Sequence, residues 1–263
     1  MSALERMCDL LFEVSNEDRL RILRVLEAEA KNVTGLSREL GLTTQESSRH
    51  LSRLGDVGLT SKDADGNHYI TPYGRLTLRL LQGLDFTTRH ADYFMSHSLA
   101  GLPLEFVGRI GELGGSTRVD DVMVAVHRIE ETIQGAEEYL LNINLPYIAS
   151  TFPMIRGAFE RGIKARFLHT RDLVVPQIMI EERRREFDKK TIDQFIRAGL
   201  YDEKLIEKVD LVLYISEKEV GLAAFPLQDG GYDYLGFTSG DERIHKWCVD
   251  LFEHYWERAS PAH

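Results

Sequence analysis

The sequence predicts a chain of two folded parts in the α+β / α/β class. An N-terminal helical domain with one β-hairpin spans residues 1–74, a helical linker or dimerisation segment spans 75–114, and an α/β domain with a mixed sheet spans 115–263. Three observations predict this. Apolar residues recur at three- and four-residue intervals through the first part of the chain. A turn-rich pair of short strand-like runs follows at 59–71. Beyond Leu113-Gly114-Gly115, which reads as a boundary, strand-like runs alternate with amphipathic helices.

With 263 residues, 43% hydrophobic and 28% charged, the chain is long enough for two cores and too apolar throughout for an extended disordered tail. The N-terminus, MSALERMCDLLFEV, is broken by charges every few positions, so neither a signal peptide nor a membrane span is expected and a cytoplasmic protein is. Cys8 and Cys248 are the only cysteines. They suit neither a structural zinc site nor a disulfide framework and are expected in the core, with no metal and no cofactor implied.

The net charge of −10 argues against nucleic acid as a partner until its distribution is considered. Between Lys31 and Arg79 seven Lys/Arg face five Asp/Glu, a local +2, so the remainder carries −12. Attraction to phosphates is screened beyond about 10 Å, so a locally basic surface is enough.

Leu4, Met7, Cys8, Leu11 and Val14 predict a first amphipathic helix, and Leu20, Ile22, Leu23, Val25 and Leu26 a second after the Ser15-Asn16 break. A short helix over Leu36–Leu40 should end on Gly41, and Thr43-x-x-Glu46 is a capping box that opens the next helix at once. Two helices around a tight glycine turn form a helix-turn-helix. In the second, over 43–57, Ser47, Leu51 and Leu54 face inward and His50 is half-buried. Gln45, Arg49, Ser52 and Arg53 share an outward face, with Thr44 and Ser48 at its N-terminal end. Arg and Gln can read base edges bidentately, and Ser and Thr can reach phosphates, so this helix is expected to enter the major groove. The hairpin 59–71, turning at Asp65-Gly66-Asn67, supplies a wing with Lys62 and His68 as further contacts, and Pro72 opens a long helix. A winged helix serving only protein contacts is the alternative.

Ser15-Asn-Glu-Asp-Arg-Leu-Arg-Ile-Leu, Leu36-Ser-Arg-Glu-Leu-Gly-Leu, Ser48-Arg-His-Leu-Ser-Arg-Leu and Asn67-His-Tyr-Ile-Thr-Pro-Tyr-Gly together resemble archaeal ArsR-like winged-helix regulators. The resemblance covers residues 15–74. It implies duplex DNA binding but not metal sensing, because Glu39 and Gly41 stand where metal-sensing members carry cysteines.

In the C-terminal part, helices are expected over Val122–Ala136, Phe152–Arg161, about Ile180–Ile196 and Gly240–Arg258, with Ile244, Trp247, Cys248, Leu251, Phe252 and Tyr255 on one stripe of the last. His245 and His254 fall off that stripe and read as surface residues. Strands are expected over Tyr139–Leu145, Ile163–His169, Val209–Ile215, Val220–Phe225 and Tyr232–Phe237. Arg128-Ile-Glu-Glu-Thr-Ile through Asn144, Phe159-Glu-Arg-Gly-Ile-Lys-Ala-Arg-Phe-Leu, and Leu235-Gly-Phe-Thr-Ser to Trp256 resemble the effector domain of archaeal regulators of the methanogenesis-regulator type, distantly similar to a phospholipase-D half-domain. That chemistry needs H-x-K-x4-D. The nearest match, His169-Thr170-Arg171, lacks the lysine, and Gln177 stands at the final position, so no enzyme is expected.

The resulting expectation is a homodimeric transcription factor on double-stranded DNA, modulated by a small polar or anionic effector. Asn142, Asn144, His169 and Arg171, at strand ends, are the candidate ligand contacts. A constitutive chromatin-type binder with a C-terminal assembly domain is the second reading.

Overall fold

The computed structural model describes residues 2–144, 148–171, 175 and 177–262. The chain divides into two compact units, Met1–Leu84 and Asp85–His263, each treated by itself.

In the first unit, α1 (Ala3–Val14) starts on a Ser2/Glu5 capping box and α2 (Glu17–Ala28) on Asn16. Asn32 caps α3 (Val33–Leu40), which therefore begins a turn earlier than its apolar residues suggest. Gly41 closes α3 at φ +70°, a left-handed conformation that favours glycine, and the Thr43/Glu46 box opens α4 (Thr44–Asp56). The hairpin is β1 (Thr60–Lys62) against β2 (His68–Ile70), antiparallel, with Asp63 accepting from the Asp65 and Asn67 amides in the turn. α5 (Pro72–Arg89) follows at once. Gly74 permits this: a Cβ there would meet the Leu59 carbonyl oxygen at 2.3 Å. Ile22, Leu23, Leu26, Leu36, Leu51, Leu54, Leu59 and Ile70 form the core.

The apolar stripe expected on α1 lies mostly outward. Val14 of that stripe turns inward with Leu10 and Glu13, while Leu4, Met7, Cys8 and Leu11 are outward and Cys8 is exposed rather than in the core. On α5, Tyr73, Leu76, Leu80 and Leu84 form a second exposed stripe at helical spacing.

In the second unit an eight-stranded mixed sheet has the order β10-β6-β5-β4-β7-β8-β9-β3. Its strands are β3 (Thr117–Val119), β4 (Tyr139–Ile143), β5 (Lys164–Thr170), β6 (Tyr201–Ile206), β7 (Val212–Ser216), β8 (Val220–Ala224), β9 (Gly236–Ser239) and β10 (Ser260–Pro261). β4, β5 and β6 run parallel, and the other pairings are antiparallel. One face packs on α12 (Glu242–Trp256), α6 (Ala91–Phe94), α7 (Leu104–Val107) and a 3-10 turn at Ile110–Gly115. The other carries α8 (Val122–Gly135), α9 (Thr151–Glu160), α10 (Gln177–Glu186) and α11 (Lys189–Arg197).

Several expectations change. Residues 75–114 form no separate linker, because Phe86 and Tyr93 bury their rings against Phe237 at 5.1 and 5.0 Å and Leu113 is a core residue of the second unit. The glycines after Leu113 therefore lie inside a unit and mark no boundary. The charged helix expected over 180–196 is two helices, broken where Phe187 turns into the core and Asp188 caps α11 through the Thr191 amide. β3, β6 and β10 were not expected: two are too short to show a period, and β6, Tyr-Asp-Glu-Lys-Leu-Ile, is too charged to read as a strand. The strand expected at Tyr232–Phe237 lies later, at Gly236–Ser239, and Leu145 of the strand expected at 139–145 falls outside the described residues. His245 and His254 are half-buried: His245 bonds the Ser216 carbonyl at 2.7 Å, and His254 lies 2.7 Å from Glu105. Among the described residues no helix is long and apolar enough to cross a membrane.

Candidate functional site

α4 is set on the first unit by its inner face. Leu51 and Leu54 enter the core, and the Ser37 and Ser47 hydroxyls meet at 2.8 Å, a buried bond that joins α3 to α4. The opposite face carries Thr44, Gln45, Ser48, Arg49 and Ser52, all exposed. Arg49 makes no ion pair among the described residues, so its guanidinium is available to a phosphate or a base edge. Glu46, the acid nearest this face, is engaged by Thr43 in the cap, which holds its pKa below the usual carboxylate range.

Arg53 is placed differently from the other residues of the expected contact face. Its guanidinium forks onto the Glu13 carboxylate of α1, at 2.9 Å from Nε and 2.8 Å from Nη2, and lies over the Phe12 ring. Arg19 reaches the same carboxylate at 3.1 Å and donates to the Phe12 and Glu13 carbonyls at the end of α1. The Arg53 bond chiefly, with the charge of Arg19, holds Glu13 below its ordinary pKa against the opposing effect of burial. Sequence reasoning missed Glu13. The available signal was a carboxylate between Leu10 and Val14, on the helix face that turns inward.

His50, expected half-buried, is buried, and desolvation lowers its pKa. On the hairpin, Lys62 is exposed, and Tyr69, the register partner of Ser61, is 39% exposed. His68 is half-buried, and its backbone pairs with Lys31 at 2.8 and 3.0 Å. That pairing is an isolated bridge from the segment between α2 and α3 to the hairpin.

The four residues expected at a ligand site separate into distinct environments. Asn144, at φ +48°, donates to the Val209 and Leu211 carbonyls and accepts from the Thr170 amide and hydroxyl, so its amide is engaged at both ends. Arg171 is exposed near Glu207. Asn142 and His169 are buried on one face of the sheet, on adjacent parallel strands. Among the described residues neither end of the Asn142 amide finds a hydrogen-bond partner, nor does the hydroxyl of Tyr214, its register partner on β7. His169 faces Glu203 at 3.7 Å, and burial pushes its pKa down to about 4. Beside them Arg183 donates to the Tyr201 hydroxyl at 3.0 Å, which donates in turn to Glu203 at 2.5 Å. Among the described residues no group of three His, Cys, Asp or Glu is placed to hold a metal.

Residues 16–62 match the family model of the bacterial regulatory protein, arsR family. Over 260 residues the chain is 23% identical to the methanogenesis regulatory protein FilR1 of Methanothrix harundinacea (strain 6Ac), a match covering 93% of this chain and 56% of the relative. The chain thus spans about half the length of the curated relative it matches. Among solved structures, TrmBL2, described as an archaeal chromatin protein with a novel mode of DNA binding, aligns at a TM-score of 0.43 and 18% identity over 98% of this chain and 99% of its own. NucT from Helicobacter pylori aligns at 0.40 and 11% identity over 56% of this chain and 97% of its own.

Proposed function

We propose that the protein is a transcriptional regulator that binds double-stranded DNA as a homodimer, with α4 in the major groove. One observation carries this reading. α4 is fixed by buried contacts on one face and presents Thr44, Gln45, Ser48, Arg49 and Ser52 to solvent on the other. The arsR-family match over the same helices and the regulatory relative support it. Lys62, with His68 beside it, lies on the wing toward the flanking phosphates. Arg53 acts by holding α4 in place. The exposed stripes of α1 and α5 supply the dimer contact, and two-fold symmetry spaces two recognition helices one turn of DNA apart. A cytoplasmic setting goes with this role.

The C-terminal unit, in this reading, binds a small polar or anionic effector and changes operator affinity by the five- to 150-fold typical of such coupling. A phosphodiesterase role is not favoured, because His169 is buried against Glu203 and no lysine follows it at the spacing that chemistry uses.

Footprinting of the full chain on its host DNA, followed by titration of the selected duplex, tests the proposal. Tight, salt-sensitive binding is expected, weakened by about 1–3 kcal/mol in Arg49→Ala. Binding that ignores sequence and is indifferent to Arg49→Ala and Gln45→Ala would overturn it.

A further inference from the structure

In the second unit α10 and α11 cover a groove that runs along β6. α10 and α11 have no buried residue along their lengths, and Phe187 between them is buried, with its ring 6.1 Å from that of Phe159. Of the nineteen helical residues, Ile192 and Phe195 of α11 pack on the same core but stay only half-buried, so separating the two helices from the sheet costs less than lifting fully buried helices. The groove beneath them is about 390 Å³. Its apolar walls are Ile180, Phe187, Ile192 and Leu205, and its cations are Arg183 and Arg184.

The two arginines differ. Arg183 is held from inside by the Tyr201 hydroxyl and Glu203. Arg184 is exposed and, among the described residues, has no ion pair, unlike its neighbour Arg185, which meets Glu182. One wall thus carries an anchored guanidinium and an available one side by side. Among the described residues that line the groove the one carboxylate, Glu203, is already engaged by Tyr201 and Arg183. Below the groove a second cavity of about 20 Å³ is bounded by Phe152, Phe167, His169 and Tyr201, continuing the mixture of apolar and polar surface toward the strand ends.

The chemistry of these walls selects among ligands. A neutral sugar needs donors and acceptors along its whole length, but four wall residues offer only hydrocarbon. A cation would face two guanidinium groups. A carboxylate on an apolar body satisfies both halves: the anion takes a forked bond from arginine, and the hydrocarbon displaces water from Phe187, Ile192 and Leu205.

We propose that this groove is the effector site of the protein and that it takes small organic acids with an apolar body. The proposal rests on the ligand-responsive reading above and gives it a location and a chemical class. Entry is by movement of α10 and α11, and a bound acid pins them to the sheet.

The test uses the full chain with hexanoate, octanoate and 3-phenylpropionate as probes, and hexanol, hexylamine and inorganic phosphate as controls. Binding is followed by calorimetry and thermal shift. The acids are expected to bind and raise the melting temperature, the controls to bind at least tenfold more weakly. Arg184→Gln should weaken acid binding at least tenfold. Ile192→Trp should block it by filling the groove with charge unchanged. Arg184 is exposed, so its replacement should leave the circular dichroism spectrum and DNA binding of the unliganded protein intact. Acids that bind no better than hexanol and phosphate, or bind both variants as well as wild type, would overturn the proposal. Duplex binding is measured on the same samples. Acid binding without DNA binding would sink the regulator reading and leave the site standing, and DNA binding with no acid bound would do the reverse.

Discussion

The Glu13 carboxylate on α1 receives a two-pronged bond from Arg53 on α4 while Arg19 on α2 meets it from the other side. One carboxylate therefore ties the proposed reading helix to the two helices before it. The arrangement is asymmetric: Arg19 and Glu13 are buried, whereas the Arg53 side chain is 41% exposed. Glu13→Ala should cost about 3 kcal/mol, because it leaves the buried Arg19 charge without its neutralising carboxylate. Arg53→Ala should cost much less, since its charge is largely screened by solvent. Urea denaturation of both variants measures this, and equal losses would refute the asymmetry. On DNA, Arg53→Ala should weaken all duplexes alike, whereas a base reader would lose preference at one position.

The outward stripes of α1 and α5 predict the oligomeric state. Leu80 is 70% exposed and Leu4 66%, in register with Leu76, Leu84, Met7 and Leu11. A charge at the centre of such a stripe should raise the dimer dissociation constant by roughly 30-fold or more. Leu80→Glu is expected to sediment as a monomer where wild type is a dimer. A wild-type monomer at micromolar concentration would contradict the proposed assembly.

His169 predicts a pH dependence of stability. Burial lowers its pKa to about 4, chiefly by desolvation, with Glu203 opposing. As pH falls below about 6.5, the unfolded chain binds a proton at this position that the folded chain refuses until about pH 4. Stability from this group is therefore complete above pH 6.5 and lost progressively down to about pH 4, a total on the order of 3 kcal/mol. His50, His68 and His90 are also lowered by burial and act in the same direction, so the measurement is a difference. Denaturation of wild type and His169→Gln at pH 7, 5.5 and 4 should show a flatter profile in the variant. Parallel profiles would exclude a buried neutral imidazole.

Asn144 is expected to matter for folding more than for ligand. Its amide bonds two carbonyls, an amide and a hydroxyl from a left-handed backbone position. Asn144→Ala should cost roughly 2–4 kcal/mol, because buried carbonyls lose their donors and the strained backbone its support. Unchanged stability together with lost effector response would return it to the ligand site.

By itself the sequence determined the elements of the first unit, because each carries a local chemical signature. The Thr43/Glu46 box, Gly41 and the Asp63–Asn67 turn act within four residues of themselves, so the helix-turn-helix and its hairpin are legible without a fold. The same holds for the outward positions of Thr44, Gln45, Ser48, Arg49 and Ser52, which follow from the inward ones by helical period. Tertiary structure alone decided the rest. Which stripe of α1 faces the core depends on neighbours far along the chain, and Cys8, which reads as a core residue, lies outward. Arg53 reads as a base contact until Glu13, forty residues away, is brought to it. Asn142, Asn144, His169 and Arg171 look equivalent at strand ends, but strand pairing leaves Asn142 and His169 on one buried face and gives Asn144 and Arg171 surroundings of their own. β6 is too charged to look like a strand, and only its pairing between β5 and β10 makes it one. Local capping and turn chemistry acts over a few bonds and is written in neighbouring residues. Burial and charge pairing act through space, so they exist only once the chain has folded.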